Sequence, residues 1–194
     1  MGLPIPRFFL YAAATFSAIL ALSCCSGRKQ SARETSVQPF DSIEIKYSPQ
    51  IELGTKAPDF SARDTSGAEI KLSDYKGSYV VLDFWATWCG DCREEMPVFK
   101  DFFSEYKETG VAGKSVAFIS YSFDHEADVW KKYISDNNLD WIQVSALVKW
   151  HDNPVSESYQ VKWIPSFYVI DPEGVVIGSA VKAFRIREIL QSIE

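Results

Sequence analysis

Two cysteines separated by two residues, Cys89 and Cys92, have the clearest chemical potential in this sequence. At the start of a helix, the first sulfur of such a pair faces unpaired backbone N–H groups and the positive end of the helix dipole. These interactions stabilise the thiolate of Cys89 and lower its pKa from about 8.5 toward roughly 7. We therefore predict that Cys89 is the nucleophile of thiol–disulfide exchange and that Cys92 resolves the mixed disulfide.

The same pair could instead form a structural disulfide or half of a zinc site. Zinc would need two further thiolate or imidazole ligands, and the sequence offers them only at Cys24, Cys25, His125 and His151. Neither histidine has a supporting set of ligands nearby in sequence, so both are expected at the surface. We predict no metal site and no cofactor.

Asp83 is the only charged residue in the run 79–85, Tyr-Val-Val-Leu-Asp-Phe-Trp. A run this apolar is typical of a central strand that is covered on both faces, and burial there should raise the pKa of the carboxyl group. Because Asp83 precedes Cys89 by six residues on the strand that leads to the cysteines, it is the candidate base for the proton of Cys92. The alternative is an edge position with the carboxylate in solvent.

The segments after the cysteines alternate between helix and strand patterns. Apolar residues recur at three- and four-residue intervals from about residue 90 to 107, which predicts a helix that Pro97 should kink. Residues 115–123 predict a second buried strand. A second helix follows, and its predicted inner face carries Val129, Trp130, Tyr133 and Ile134.

The remaining segments complete a mixed sheet. The turn at 64–67 predicts a hairpin between Phe60 and residues 68–72, and residues 141–144 predict a short strand. Two further strands are predicted at 166–170 and 175–177, joined by a tight turn, and a closing helix has one apolar side formed by Ile186, Ile189, Leu190 and Ile193. This order predicts an α/β sandwich in one domain, since 194 residues hardly suffice for two cores.

The amino terminus has the layout of a secretory signal over residues 1–23. Arg7 is its only charge, and an apolar run of fifteen residues, 8–22, follows. Because a membrane-spanning helix usually needs about 20 apolar residues, we expect cleavage, with an uncleaved anchor as the alternative. Polar residues 24–40 predict a flexible tether, and the globular domain is expected at 41–194.

Ala-Leu-Ser-Cys at residues 21–24 resembles the lipobox of bacterial lipoproteins, in which a small residue precedes the cysteine that is acylated. This resemblance implies lipid attachment at Cys24, with Cys25 as the alternative. It also implies a membrane-anchored, extracytoplasmic protein in the bacterial periplasm or cell envelope, where disulfides persist. The net charge of −6 argues against a nucleic-acid partner.

Residues 80–92 resemble the active-site strand and loop of thioredoxins, and residues 54–60, 72–77 and 95–97 resemble the TlpA/ResA group of the AhpC/TSA-redoxin superfamily. The similarity covers roughly residues 52–192. It implies a thioredoxin-like three-layer α/β/α sandwich with a mixed central sheet and an N-terminal hairpin extension. It also implies an extracytoplasmic thiol:disulfide oxidoreductase.

The same resemblance assigns a substrate-binding surface around the cysteines. It implies a cis peptide bond at Pro165 and pairing of the backbone at Ile164 with an incoming extended peptide. Trp88, Gly90 and Asp91 are expected to border this surface. Two tryptophans near the loop, Trp150 and Trp163, are predicted either to form an aromatic platform for a partner or to pack beneath the loop.

Two departures from the family pattern affect the chemistry. Asp91 replaces the usual proline between the cysteines, and its carboxylate should raise the pKa of Cys89 and make the couple more reducing. No lysine on the neighbouring strand, 116–122, obviously partners Asp83.

The predicted function is a monomeric enzyme that reduces disulfides of exported proteins and receives electrons from a membrane or periplasmic thiol donor. One alternative is a thiol peroxidase of the peroxiredoxin or glutathione-peroxidase type. Peroxiredoxins generally carry Pro and Thr where this sequence has Leu82 and Ala86, so this alternative is less favoured. A second alternative is a non-catalytic copper- or haem-delivery module that uses the same cysteines.

Overall fold

The computed structural model describes residues 41–47, 49 and 51–193. The predictions made for residues 1–40, including the signal peptide, the tether and acylation of Cys24 or Cys25, lie outside the described residues. Within the described residues, no helix combines the length and hydrophobicity needed to cross a membrane.

A seven-stranded mixed sheet forms the centre of the domain, in the order β2-β1-β5-β4-β3-β6-β7. The strands are β1 Ser61–Asp64, β2 Glu69–Lys71, β3 Tyr79–Trp85, β4 Val116–Ser122, β5 Ile142–Ser145, β6 Ser166–Ile170 and β7 Val176–Ala180. The helices are α1 Ser42–Tyr47, α2 Gly90–Thr109, α3 Ala127–Asp136, α4 Pro154–Ser158 and α5 Ala183–Gln191. Short 3₁₀ turns occupy Leu72–Tyr75 and Trp150–Asp152.

Strand direction follows from the connections. β3, β4 and β5 are parallel because helices α2 and α3 return the chain to the same end of the sheet. Tight connections make β6 and β7 antiparallel neighbours, and the β1–β2 hairpin extends the opposite edge through antiparallel pairing with β5. The predicted hairpin extension and mixed sheet are confirmed.

Side chains of β3 alternate between two covered faces, as its apolar sequence predicts. Trp85 contacts Tyr133 of α3, and Phe118, which lies beside Val81 in register, contacts Phe99 of α2. The opposite face holds an aromatic cluster of Phe60, Phe84, Tyr121, Tyr159 and Tyr168. The sheet is therefore the middle of three layers, which confirms the predicted thioredoxin-like fold.

Three local features differ from the sequence-based expectations or extend them. Val129 is 49% exposed, so its predicted inner position is wrong: it lies about 100° around α3 from buried Trp130. Helix α1 was not predicted from the sequence, and its Glu44 forms a buried ion pair with Arg185 of α5. Helix α2 continues through Pro97, and the kink there stays a prediction.

Candidate active site

Cys89 and Cys92 form a disulfide at the first turn of α2. Cys89 is the N-cap of the helix, and its Sγ accepts a hydrogen bond from the backbone N–H of Cys92 at 3.0 Å. Cys89 is 7% exposed and Cys92 only 2%, so the outer sulfur is the one that a partner can reach. In the reduced state, the helix N-terminus and this N–H would stabilise a thiolate on Cys89.

The peptide bond between Ile164 and Pro165 is cis, as the resemblance implied. The carbonyl oxygen of Ile164 lies 3.5 Å from Sγ of Cys89, and both Ile164 and Pro165 are buried. The hydroxyl of Ser166 donates to the carbonyl of Trp163 at 2.7 Å, which ties the loop to the start of β6. The cis-proline loop thus lies directly against the outer sulfur.

Asp83 is 2% exposed, so the alternative of a solvent-exposed edge charge is wrong. Its Oδ2 accepts a hydrogen bond from the hydroxyl of Ser120 at 2.9 Å, whereas Oδ1 has no hydrogen-bond partner within the described part of the chain. Burial raises the pKa of Asp83 to about 7, because the hydrogen bond from Ser120 offsets only part of the cost of desolvating the carboxylate. A group with this pKa can gain or lose a proton near neutral pH.

Asp83 lies on the face of the sheet that α2 covers. It is opposite Ser120 on β4 and Phe167 on β6, and Phe167 stacks on Phe99 of α2. Cys92 belongs to the buried stripe of α2 that continues to Phe99. The candidate base and the inner cysteine therefore share one buried layer.

Asp124 is a second buried carboxylate, which the sequence analysis missed. It accepts hydrogen bonds from the backbone N–H of Thr87 at 2.9 Å, the hydroxyl of Thr87 at 2.7 Å and the hydroxyl of Ser122 at 2.7 Å. These bonds hold the loop between β3 and the cysteines against the end of β4. An acidic residue directly after an apolar strand was the available signal.

A second group of charges lies between α2 and the start of α5. Glu95 accepts a hydrogen bond from Lys182 at 3.1 Å and another from the backbone N–H of Ala183 at 2.8 Å. Burial alone would lower the pKa of Lys182, but the hydrogen bond and charge of Glu95, together with the charges of Asp41 and Asp91, raise it. The negative charge of Asp91 therefore has the cation Lys182 nearby. The expectation that Asp91 raises the pKa of Cys89 stays a prediction.

An aromatic surface borders the cysteines on one side. Trp88 is 53% exposed and stacks with Trp150, with 6.5 Å between the ring centroids. Trp150 stacks in turn on Phe123 and His151. Trp163 instead stacks on Tyr47 of α1 at 4.0 Å. Each of the two rings therefore stacks on a different neighbour, and their role as a platform for a partner stays a prediction.

A cavity of about 320 Å³ opens beside this surface. Its lining residues are Trp88, Phe123, His125, Lys149, Trp150, His151 and Asp152. Both histidines are exposed, as predicted. Within residues 41–193, as far as the structure describes them, no group of three or more His, Cys, Asp or Glu side chains is arranged to hold a metal ion.

Comparisons with known proteins agree on one group. The model of the AhpC/TSA family matches residues 53–179. The thiol-disulfide oxidoreductase ResA of Bacillus thuringiensis subsp. konkukian is 33% identical over 128 residues, which cover 66% of this chain and 69% of the relative. The thioredoxin-like protein YneN of Bacillus subtilis is 28% identical over 144 residues, which cover 74% and 80%.

Solved structures show the same fold. The thioredoxin domain of a thiol-disulfide oxidoreductase from Bacteroides vulgatus aligns with a TM-score of 0.63 and 27% identity, covering 73% of this chain and 99% of that domain. A thiol:disulfide interchange protein from Bacteroides sp. aligns with a TM-score of 0.62 and 27% identity, covering 73% and 92%.

Proposed function

Because the chain belongs to the AhpC/TSA family and is a ResA-type thiol-disulfide oxidoreductase, we propose that it reduces disulfides of exported proteins through Cys89. The observation that carries this proposal is the position of Cys89 at the helix N-cap, against the carbonyl of Ile164 in the cis-proline loop. Cys89 is the sulfur that meets the partner, and Cys92 is the sulfur that releases it.

The first step is attack by the Cys89 thiolate on one sulfur of the partner's disulfide. A bond forms between Cys89 and that sulfur, the partner's own S–S bond breaks, and its second sulfur leaves as a thiolate that takes a proton from water. The N–H of Cys92, 3.0 Å from Sγ of Cys89, and the helix dipole favour the attacking thiolate. The product is a mixed disulfide between Cys89 and the partner.

The second step releases the reduced partner. Asp83 takes the proton of Cys92, and the resulting thiolate attacks Cys89, which forms the intramolecular disulfide and expels the partner's remaining sulfur as a thiolate. Two electrons pass from the dithiol to the partner. A thiol donor at the membrane or in the periplasm then reduces Cys89 and Cys92 by the reverse exchange.

The partner's chain binds in an extended conformation along the cis-proline loop. The backbone of Ile164 pairs with it, Pro165 lies beside it, and Gly90 and Asp91 border its other side. Apart from the chain neighbours of Gly90 and the backbone of α2, no atom of the described residues lies within 4 Å of where a side chain at Gly90 would begin, which supports free approach over the helix start. Trp88 and its stacking partner Trp150 offer an apolar surface for a side chain near the partner's cysteine.

The enzyme acts outside the cytoplasm and is held at a membrane. Residues 1–23 form the signal that is removed, Cys24 receives lipid, and residues 24–40 connect the lipid to the domain at 41–194. This part of the proposal rests on the single charge at Arg7, the apolar run and the lipobox resemblance. Membrane fractionation tests it: Cys24→Ser should abolish acylation and retention, whereas Cys25→Ser should not.

Trapping tests the proposed reaction. In Cys92→Ser, the mixed disulfide on Cys89 cannot be resolved, so exported proteins should accumulate as thiol-sensitive adducts that mass spectrometry identifies. The matched control Cys89→Ser should form none. Equal adduct formation in the two variants, or full disulfide reduction by Cys89→Ser, would contradict the assignment of the nucleophile.

A further inference from the structure

Three buried side chains form a row of hydrogen bonds across the sheet below the cysteines. The indole N–H of Trp141 donates to Oγ of Ser120 at 2.8 Å, and Ser120 in turn donates to Oδ2 of Asp83 at 2.9 Å. Trp141 is 7% exposed, Asp83 is 2% exposed and Ser120 is fully buried. The row begins just before β5 and ends on β3, so it connects three parts of the fold.

The direction of these bonds follows from the chemistry of the groups. An indole N–H can only donate, so Ser120 must accept from Trp141. An ionised carboxylate can only accept, so the single hydroxyl hydrogen of Ser120 points at Oδ2 of Asp83. A proton placed on Oδ2 would displace that hydrogen and leave it without an acceptor. Oδ1, which is buried and has no partner in the described structure, is the oxygen at which a proton adds without this cost.

We propose that Ser120 and Trp141 are positioning residues that hold the Asp83 carboxyl so that Oδ1, rather than Oδ2, exchanges the proton of Cys92 in the resolving step. This inference rests on the proposed role of Asp83 as the base. The proton leaves the thiol of Cys92 and joins Oδ1, while the electron pair left on sulfur forms the bond to Cys89. The S–S bond between Cys89 and the partner breaks at the same time, and the partner's sulfur leaves as a thiolate. The hydroxyl of Ser120 keeps its own hydrogen throughout.

Within the described residues, the carboxyl group of Asp83 accepts its hydrogen bond from a neutral hydroxyl, that of Ser120, and not from a cation. Its neighbours in register are Ser120 and Phe167, and no charge elsewhere in the described residues contributes to the shift of its pKa. Of the ionisable side chains on the helices packed over this face, Cys92 and Tyr106 of α2 are buried and Tyr133 of α3 is half-buried. Buried Arg185 of α5 pairs with Glu44, and Glu95 of α2 pairs with Lys182. A single neutral donor stabilises a carboxylate less than a cation would, consistent with the raised pKa of Asp83.

A two-phase reaction with 5,5′-dithiobis(2-nitrobenzoate) separates the steps. All proteins in this assay are full-length and carry Cys24→Ser and Cys25→Ser, so that Cys89 and Cys92 are the two thiols that can react. The reduced protein should release one thionitrobenzoate when Cys89 attacks and a second when Cys92 resolves, and stopped-flow absorbance follows both from pH 5 to pH 9. In Cys92→Ser, only the first release should occur. Absence of the first phase in the native protein would refute the proposed function, whereas the inference concerns the second phase alone.

Ser120→Ala removes the donor from the carboxylate. Hydrogen bonds to charged groups contribute roughly 1.5–3 kcal/mol, so losing this bond should raise the pKa of Asp83. The midpoint, which is the pH at which the rate of the second phase is half its maximum, should therefore rise by about 1–2 pH units. The first phase should keep its rate and pH profile. Ser120→Thr retains the hydroxyl and should restore the native midpoint. Ser156→Ala removes a buried serine on α4 that has no part in the row of hydrogen bonds to Asp83, and it should change neither phase.

Trp141→Phe provides a second test of the proposal if Ser120→Ala does not fold. It removes the donor to Ser120 and keeps an aromatic ring against Phe99 and Phe103, so the midpoint should rise by about a third of the Ser120→Ala shift. An unchanged or lowered midpoint in folded Ser120→Ala overturns the proposal. A midpoint that shifts in Ser120→Thr as far as in Ser120→Ala also overturns it. If Ser120→Ala does not fold and Trp141→Phe does, an unchanged midpoint in Trp141→Phe overturns it as well.

Discussion

Replacing Asp83 with asparagine is expected to stabilise the oxidised protein above pH 7, although Asp83 serves the proposed reaction. The carboxyl group is buried with one hydrogen-bond donor, so its ionised form is unfavourable in the fold. Asparagine has nearly the same shape, keeps an oxygen for the hydroxyl of Ser120, and carries no charge. The variant therefore removes the cost of holding a charge in the core.

The magnitude follows from the pKa of Asp83, which rises from 3.8 to about 7 on folding. Below pH 3.8, both the folded and the unfolded chain hold this proton, and the charge costs nothing. As the pH rises from about 4 to 7, the unfolded chain loses the proton first, so the native free energy of unfolding falls by up to about 1.4 kcal/mol per pH unit. Above pH 7 the penalty is constant at about 4 kcal/mol.

The assay is urea unfolding of the oxidised native chain and Asp83→Asn, both with the Cys89–Cys92 disulfide intact, at intervals from pH 4.5 to pH 8.5. The buried amide N–H groups of asparagine carry a cost of their own, but this cost does not vary with pH. The diagnostic quantity is therefore the difference in unfolding free energy, which should grow with pH and level off above 7.

A matched control is Asp124→Asn, which changes a buried carboxylate that accepts three hydrogen bonds. Its amide would turn N–H groups toward donors, so this variant should be destabilised at pH 8 by about 1–3 kcal/mol. A stability difference between Asp83→Asn and the native chain that stays the same from pH 4.5 to pH 8.5 would refute the reasoning about Asp83.

Three further outcomes test other parts of the molecule. Asp91→Pro removes a carboxylate next to the outer sulfur, so we expect a lower Cys89 pKa and a more oxidising couple in glutathione or dithiothreitol buffers; a native protein more oxidising than the variant would contradict this. Gly178→Ala places a methyl group 2.7 Å from Cδ1 of Ile189 and should cost about 1–3 kcal/mol in thermal or urea unfolding, partly recovered by adding Ile189→Val. Stopped-flow mixing with hydrogen peroxide should show no rapid sulfenic acid at Cys89, because Leu82 and Ala86 stand where peroxiredoxins have Pro and Thr; rapid formation would favour the peroxidase alternative.

The local part of the site was predictable from the sequence. The spacing of apolar residues predicted the strand β3 before the cysteines and the helix α2 after them. The apolar neighbours of Asp83 in the sequence indicated that its side chain is buried. The resemblance to the TlpA/ResA group supplied the fold and the cis bond at Pro165, which no periodicity could indicate. The helix, the strand and the burial of Asp83 depend on short stretches of chain, where residue type and spacing carry the information.

The partners of the buried carboxylates were decided only by the tertiary structure. Ser120 meets Asp83, and Thr87 meets Asp124, across 37 residues in each case, because β3 and β4 pair in one particular register. A shift of one residue in that register would turn Ser120 to the opposite face of the sheet. No periodicity in either strand specifies that register, because it depends on how α2 packs and on where the connections allow the strands to meet.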